Sequence, residues 1–205
     1  MTLDAAVRAI RRGGVIAFPT DTVYGLACDP ANTAAVSRIY AIKRRPDGLE
    51  LTLLAASIAE IEEDVDLNPA ARSLAGAYWP GALSIICPLR SHRWAIPRDG
   101  TTLSVRIPDH PVALALLRRT GSLATTSANR HGAPAADTAA GVAAALGAEV
   151  DTVLDGGPSA GLASTIIDCT TMTPRVLRDG PISAGALFSL LGGVPATTTE
   201  GQRSQ

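Results

Sequence analysis

The sequence predicts an α/β fold in which helices flank a twisted, largely mixed β-sheet. Short apolar runs of strand length alternate along the chain with segments whose apolar residues recur at helical spacing. Helices interleaved with about seven strands form one covered sheet, because each element must bury its apolar side against another. The 205 residues suffice for one large domain. We place this domain at residues 1–192 and expect residues 193–205, rich in Gly, Thr, Ser and Gln, to form a flexible C-terminal tail.

The first half of the chain predicts helices and strands in alternation. Residues 3–12 carry apolar side chains at helical spacing, and a glycine pair ends this helix. Residues 15–18 (VIAF) form a buried strand, a second helix runs to Lys43, and residues 51–56 (LTLLAA) form the next strand.

Capping residues and further apolar runs define the remaining elements. Ser57 and Glu60 have the spacing of a capping box, and Asn68 precedes Pro69 at the first position of a helix. Strands are predicted at residues 83–87, 102–107 and 122–126 and in the segments TVLD, STIID and RVLR. Further helices are predicted at residues 111–119, from a cap at Asp137 to about residue 146, and near residues 183–191.

Composition and charge exclude several classes of protein. With 46% hydrophobic and 18% charged residues the chain is typical of globular proteins. A net charge of −1 gives no general attraction for nucleic acid or acidic membranes, so an anion must be bound by a local cluster. Cys28, Cys87 and Cys169 form no CxxC pair and are expected to be buried thiols. Apolar runs are short and no leader opens the chain, so we expect a soluble cytoplasmic protein without a membrane partner.

Polar side chains gather at four points where predicted elements end: Thr20–Thr22, Lys43–Arg45, Thr125–Asn129 and Ser164-Thr165. In open α/β sheets ligands collect beyond strand ends, and hydroxyls there bind carboxylates or phosphates without a basic surface. Two of these clusters allow a second interpretation. The cations of the second could simply complement a helix C-terminus, and the third could be an ordinary Asn/Gly turn.

Arg106 lies inside an otherwise apolar strand. The period-two alternation of strands puts it on one face with Thr102 and Ser104, opposite an apolar face. This face could be an ordinary solvent-facing side of the sheet. An arginine with two hydroxyls near a strand end is also suited to a bidentate contact with a carboxylate.

Several common catalytic motifs do not occur in the sequence. His92, His110 and His131 form no HExxH or other metal spacing, and none stands beside a GxSxG elbow. GxGxxG and GxxxxGK[ST] phosphate loops are also missing from the sequence. We therefore expect no covalent nucleophile and no dedicated metal site.

An ordered set of motifs over residues 8–190 identifies a family resemblance. The segments are PTDTVYGL, KRR (as KxR), WPGALSIIC, SVRIPDHP, ATTSAN, DGG followed by STIID, and VLRDG. Together they resemble the YrdC-like family of L-threonylcarbamoyl-AMP synthases, in its short single-domain form. The resemblance implies a twisted sheet around a central cavity. It also implies a reaction of L-threonine, bicarbonate or CO₂, and ATP with Mg²⁺, which yields threonylcarbamoyl-AMP and pyrophosphate for N6-threonylcarbamoyladenosine (t6A) in tRNA.

The resemblance also implies roles for individual residues. The threonine contacts would be Thr22, Arg106, Thr125 and Ser164, with Arg106 on the carboxylate. The ATP contacts would be Lys43, Arg45, Thr102, Ser127, Asn129, the main chain near Ala135, and Arg178. Lys43 and Arg45 would act electrostatically, since the chemistry needs no protein nucleophile. Partners would include tRNA or downstream tRNA-modification proteins.

The chain departs from the family pattern after KxR-Pro. Leu49 and Glu50 stand where the family usually carries a polar residue and proline, and Leu54 stands where some relatives have histidine. Loss of one charge-assisted hydrogen bond costs on the order of 1.5–3 kcal/mol, enough to weaken ATP binding tenfold. Two other functions remain open at this point: a non-catalytic RNA-binding module, and a carbamoyl-adenylate transferase like the related domain of hydrogenase-maturation proteins.

Overall fold

The computed structural model describes residues 1–44, 51–96 and 100–193. Apart from Gly193, the predicted tail of residues 193–205 lies outside this described part, as do Arg45, Leu49 and Glu50. The strands are β1 (Ile16–Phe18), β2 (Gly25–Cys28), β3 (Thr52–Leu54), β4 (Leu83–Pro88), β5 (Thr102–Arg106), β6 (Leu123–Ser127), β7 (Thr152–Val153), β8 (Thr165–Asp168) and β9 (Arg175–Arg178). The α-helices are α1 (Leu3–Arg11), α2 (Thr33–Lys43), α3 (Ile58–Glu62), α4 (Pro69–Tyr78), α5 (Pro111–Thr120), α6 (Ala139–Leu146) and α7 (Ala184–Leu190).

These strands form one mixed sheet in the order β7-β1-β2-β6-β3-β5-β4-β8-β9. The pairs β1 with β7, β3 with β5 and β4 with β8 are parallel, and the other neighbours are antiparallel. The α/β fold with a mixed sheet is therefore confirmed. No helix in the described ranges combines the length and the apolar character that crossing a bilayer requires.

Two local features differ from the sequence predictions. Strand β2 was not predicted, because its sequence GLAC has weak strand propensity and its pairing depends on β1 and β6. The predicted N-cap of α6 at Asp137 is wrong, because Thr138 Oγ1 accepts from the Gly141 amide at 3.2 Å. Asp137 instead belongs to the preceding loop, where its carbonyl accepts from Ser159 N at 2.8 Å. Both residue types can cap a helix, and the loop contact determines which one does.

Two apolar clusters cover the two faces of the sheet unequally. Residues of α2, α4, α6 and α7 pack with Leu53, Leu103 and Val105 on one face. On the other face, α1 and α5 pack over the ends of β1 and β6 and reach Leu54. Beyond Leu54 this second face carries the hydroxyl and guanidinium groups that form the site, because alternate strand residues point to opposite sides.

Gly180 follows β9 and packs against the segment that leads into β8. A Cβ at this position would lie 2.4 Å from Thr165 N and 2.5 Å from Ala163 O, so the backbone would have to move. We expect Gly180→Ala to lower the free energy of unfolding by about 1–3 kcal/mol, the usual cost of overpacking. Urea denaturation measures the change.

Gly76→Ala is the matched control. Gly76 is an exposed residue of α4, and a Cβ there would meet no atom within 4 Å. Alanine at this helical position should raise stability by about 0.5–1 kcal/mol. A Gly180→Ala protein as stable as the parent would show that this close approach is not a constraint.

Candidate active site

A cavity of about 270 Å³ opens on the polar part of the second sheet face. Of the residues that the sequence predicted for the site, eight lie on its wall: Thr22, Lys43, Arg106, Thr125, Ser127, Asn129, Ser164 and Arg178. These residues come from six separate regions of the chain and are brought together by the sheet. Thr102 and Ala135 are not among the described lining residues.

Strand register places the main row of side chains on the cavity floor. Leu54 of β3 pairs with Arg106 of β5. Ile85 of β4 pairs with Val105, so the preceding residue, Ser84, lies beside Arg106. Ser84 in turn pairs with Ile166 of β8, and Ile166 pairs with Arg178 of β9. One line across four neighbouring strands therefore runs from Arg106 to Arg178.

A second row lies two residues further along the strands. Thr52 of β3 pairs with Ser104 on one side and with Thr125 on the other. The Thr52 and Ser104 hydroxyl oxygens are 3.1 Å apart, and Thr125 Oγ1 donates to the Thr52 carbonyl at 2.8 Å. Thr52 and Thr125 reach the cavity, whereas Thr102 lies two residues beyond Ser104, at the start of β5.

Arg106 is buried, with only 6% of the residue exposed, so the interpretation as a solvent-facing strand residue is wrong. Its Nε donates to the Gly81 carbonyl at 2.8 Å, Nη1 to Thr22 Oγ1 at 3.0 Å, and Nη2 to Asp21 Oδ1 at 2.5 Å. Burial lowers the pKa of this guanidinium from its ordinary value, and the ion pair with Asp21 opposes that effect. The three contacts fix the plane and direction of the guanidinium.

The turn between β1 and β2 presents the Thr22 hydroxyl. Thr20 Oγ1 donates to the Val23 carbonyl at 2.6 Å, and it accepts from the amides of Thr22 and Val23 at 3.2 and 3.3 Å. The hydroxyl oxygens of Thr20 and Thr22 are 2.9 Å apart. Small hydroxyl residues therefore follow β1 because they complete the turn internally and still face Arg106.

Lys43, the last residue of α2, is buried rather than exposed at a helix end. Its Nζ donates to the carbonyls of Ser127 and Asn129 at 2.8 and 3.0 Å and to Asn129 Oδ1 at 2.8 Å. Arg44 then ends the helix with a φ of 52°. Lys43 does lie at the C-terminus of α2, as the helix-dipole interpretation requires, but its ammonium also joins α2 to the loop after β6.

Ser127 and Asn129 form a connected pair at the end of β6. Ser127 Oγ donates to Asn129 Oδ1 at 2.6 Å, and Asn129 Nδ2 donates to the Ala133 carbonyl. The same Oδ1 accepts from Lys43, so Lys43, Ser127 and Asn129 act as one unit at the cavity wall. His131, which the sequence analysis did not assign, also lines this wall.

Ser84 is the most informative residue that the sequence analysis missed. It is buried, and its Oγ lies 2.9 Å from Ser164 Oγ. Arg178 donates to the Ser164 carbonyl from Nε and Nη2 at 3.0 and 2.9 Å, and from Nη2 to Ser164 Oγ at 3.1 Å. The signal was present in the sequence as the alternation of LSIIC, in which a serine stands between apolar residues.

No acidic or thiol side chain is among the described residues that line this cavity. The described ranges contain no cluster of three His, Cys, Asp or Glu side chains that could hold a metal. The three cysteines are buried, and burial raises the pKa of the Cys28 and Cys169 thiols to about 12. His110 caps no helix through its side chain, and its buried Nδ1 has no hydrogen-bond partner.

This chain is similar to known proteins both in sequence and in fold. The family model Sua5/YciO/YrdC, described as "Telomere recombination", matches residues 8–180. A threonylcarbamoyl-AMP synthase of Xanthomonas axonopodis is 41% identical over 87% of this chain and 98% of its own. A protein of the same name from Bacillus subtilis is 37% identical over 91% of this chain and 56% of its own.

A solved structure extends the comparison to a ligand complex. The crystal structure of P. abyssi Sua5 complexed with L-threonine superposes with a TM-score of 0.89 at 33% identity. The match covers 95% of this chain and 58% of that chain. This chain therefore spans little more than half the length of that protein.

The contacts of Lys43 predict a structural effect that is separate from any ligand. Lys43→Met removes the donor for the Ser127 and Asn129 carbonyls. We expect the free energy of unfolding to fall by about 1–3 kcal/mol, because buried acceptors lose their partner. Urea denaturation without ligands measures it.

Arg44→Met is the matched control, because it removes one positive charge from the exposed neighbouring residue. This surface change should alter stability by no more than about 0.5 kcal/mol. Equal losses in the two variants would contradict the role of Lys43 in joining α2 to the loop after β6.

Proposed function

Because the chain belongs to the Sua5/YciO/YrdC family, we propose that it is an L-threonylcarbamoyladenylate synthase. The substrates are L-threonine, bicarbonate or CO₂, and ATP, and the products are threonylcarbamoyl-AMP and pyrophosphate. The enzyme is then a nucleotidyltransferase that supplies the first intermediate of t6A in tRNA. Its place of action would be the cytoplasm, and its product would pass to tRNA-modification proteins.

The observation that carries this proposal is the gathering of Arg106, Lys43 and Arg178 around one hydroxyl-lined cavity. The net charge of the chain is only −1, so this local concentration of cations is not a property of the whole surface. A cavity with three cations and many hydroxyl groups suits two anionic substrates held side by side. An amino acid carboxylate and a triphosphate are such a pair.

Arg106 has the donors needed for the threonine carboxylate. A guanidinium carries five N–H donors, and Gly81, Thr22 and Asp21 accept one each from Nε, Nη1 and Nη2. One hydrogen therefore remains on each of Nη1 and Nη2, and a carboxylate can accept from these hydrogens. Thr22, Thr125 and Ser164 would surround the rest of the amino acid.

The nucleotide would lie toward the unit of Lys43, Ser127 and Asn129, with Arg178 at the far side of the cavity. Arg45, Thr102 and the main chain near Ala135 complete the expected ATP contacts by family resemblance. Mg²⁺ would enter as part of the MgATP substrate, held by phosphate oxygens and water. This fits a lining without a carboxylate cluster in the described ranges, since Mg²⁺ on nucleotides keeps several waters.

The reaction needs positioning and charge more than a protein nucleophile. The threonine ammonium gives up two protons to the solvent as its nitrogen bonds to the carbon of carbon dioxide, and the product is a carbamate anion. A carbamate oxygen then bonds to the α-phosphorus of ATP while the bond to the pyrophosphate oxygen breaks. Two negative groups must approach each other in this step. Lys43 and Arg178 offset their repulsion, and preset hydroxyl donors need no reorganisation as charge shifts.

A pyrophosphate-release assay tests the function directly. With MgATP and bicarbonate, L-threonine should increase pyrophosphate release, and L-serine should do so less well. Reactions without bicarbonate or without amino acid provide the controls. Absence of threonine-dependent pyrophosphate across a range of pH and salt would refute the proposed function.

Arg106→Lys separates the two substrates in the same assay. Lysine retains a positive charge and loses the planar fork, so the KM for threonine should rise at least about tenfold. The KM for ATP should change by no more than about threefold, because Lys43 and Arg178 are intact. A variant in which only the KM for ATP rises would show that Arg106 does not bind the carboxylate.

A further inference from the structure

Ser84 has no role in the function proposed above, although it lines the cavity. It belongs to β4, lies beside Arg106 in the strand register and is only 2% exposed. Its hydroxyl contacts Ser164, which is the expected threonine contact on the neighbouring strand segment. Either of the two hydroxyl groups, that of Ser84 or that of Ser164, could be the donor in this contact.

Hydrogen-bond chemistry limits the answer. A serine hydroxyl has one hydrogen and two acceptor sites, whereas an arginine can only donate. Arg178 Nη2 donates to Ser164 Oγ at 3.1 Å, so one acceptor site of Ser164 is already used. If Ser84 donates across the 2.9 Å contact, the second site is used as well. Ser164 can then interact with a ligand only as a donor.

We propose that Ser84 is a positioning residue that donates to Ser164 Oγ and thereby turns the Ser164 hydrogen into the cavity. This inference rests on the proposed function. The group that receives that hydrogen is an acceptor on the amino acid held by Arg106. The carboxylate is the best candidate, because it is the anionic acceptor of that amino acid. The pair of serines thus favours an anion over an ammonium at this point.

The proposal separates amino acid binding from nucleotide binding. Without the Ser84 hydroxyl, Ser164 keeps its contact with Arg178 but its hydrogen has no fixed direction. The KM for threonine should rise about 3- to 10-fold, as expected for one neutral hydrogen bond. The kcat and the KM for ATP should stay within about twofold, because Ser84 does not touch Lys43, Ser127 or Asn129 and because Arg178 keeps both of its bonds to the Ser164 carbonyl.

Steady-state pyrophosphate assays on Ser84→Ala, Ser84→Cys and Ser84→Thr test the proposal. Ser84→Ala and Ser84→Cys should show the raised KM for threonine. Cysteine nearly conserves the volume and donates only weakly, so it covers the case in which alanine fails to fold. Ser84→Thr retains the hydroxyl and should restore the KM to within about twofold of the parent.

Ser104→Ala is the matched control on the adjacent strand. Ser104 is similarly buried and shares a hydroxyl contact of 3.1 Å with Thr52, but it does not line the cavity. Its KM for threonine should stay within about twofold of the parent. An equal rise in Ser104→Ala, or a raised KM for threonine in Ser84→Thr, would show that packing and not the hydrogen bond is responsible.

The outcomes separate this inference from the proposed function. Normal threonine kinetics in Ser84→Ala with an active parent protein would overturn the role of Ser84 alone. An inactive parent protein would overturn the proposed function, and the role of Ser84 would be overturned with it. Raised KM for ATP with unchanged KM for threonine would also contradict the proposal, since it would place Ser164 on the nucleotide.

Discussion

A buried guanidinium, that of Arg106, sets the arrangement of the cavity. A cation removed from water is costly unless charge and hydrogen bonds replace the solvent, and breaking such a pair typically costs about 3–5 kcal/mol. Asp21, Thr22 and Gly81 supply the replacement from two different loops. The turn after β1 and the segment before β4 must therefore both close on the end of β5. The position of the proposed threonine subsite follows from this requirement.

Lys43 supplies a second fixed positive charge in the cavity. Backbone carbonyls hold its ammonium, and no acidic side chain is needed. Its ammonium binds carbonyls of the loop after β6, so a positive charge is held at the cavity wall by neutral acceptors. Such acceptors fix the position of the charge without neutralising it. A phosphate at this wall would then meet a preset positive charge, which is the condition for electrostatic stabilisation of a charged transition state.

Local patterns in the sequence predicted much of the fold, but not the contacts between distant strands. Alternation in TLSVR correctly placed Arg106 and Ser104 on one face, and Ser57 is the N-cap of α3, since its Oγ accepts from the Glu60 amide at 3.3 Å. Ser84 was missed because its importance depends on the pairing of β4 with β5 and β8. Local periodicity says nothing about which strands become neighbours.

The same limit applies to the position of single residues along the cavity. Leu54, where some relatives have histidine, proves to line the cavity and to pair with Arg106. Thr102 shares a face with Arg106, as alternation predicted, but it lies at the start of β5, four residues before Arg106, and is not among the described lining residues. Periodicity correctly predicts which face of the sheet a residue is on. The position of that residue along the cavity depends on the register between its strand and the neighbouring strands.

The central claim is that one cavity holds an amino acid beside a nucleotide, and isothermal titration calorimetry tests it most directly. L-threonine and a non-hydrolysable MgATP analogue would be titrated separately and then each in the presence of the other. We expect one site for each, simultaneous occupancy, and loss of only the threonine heat in Arg106→Ala. Mutually exclusive binding, or threonine binding that survives Arg106→Ala unchanged, would contradict the account.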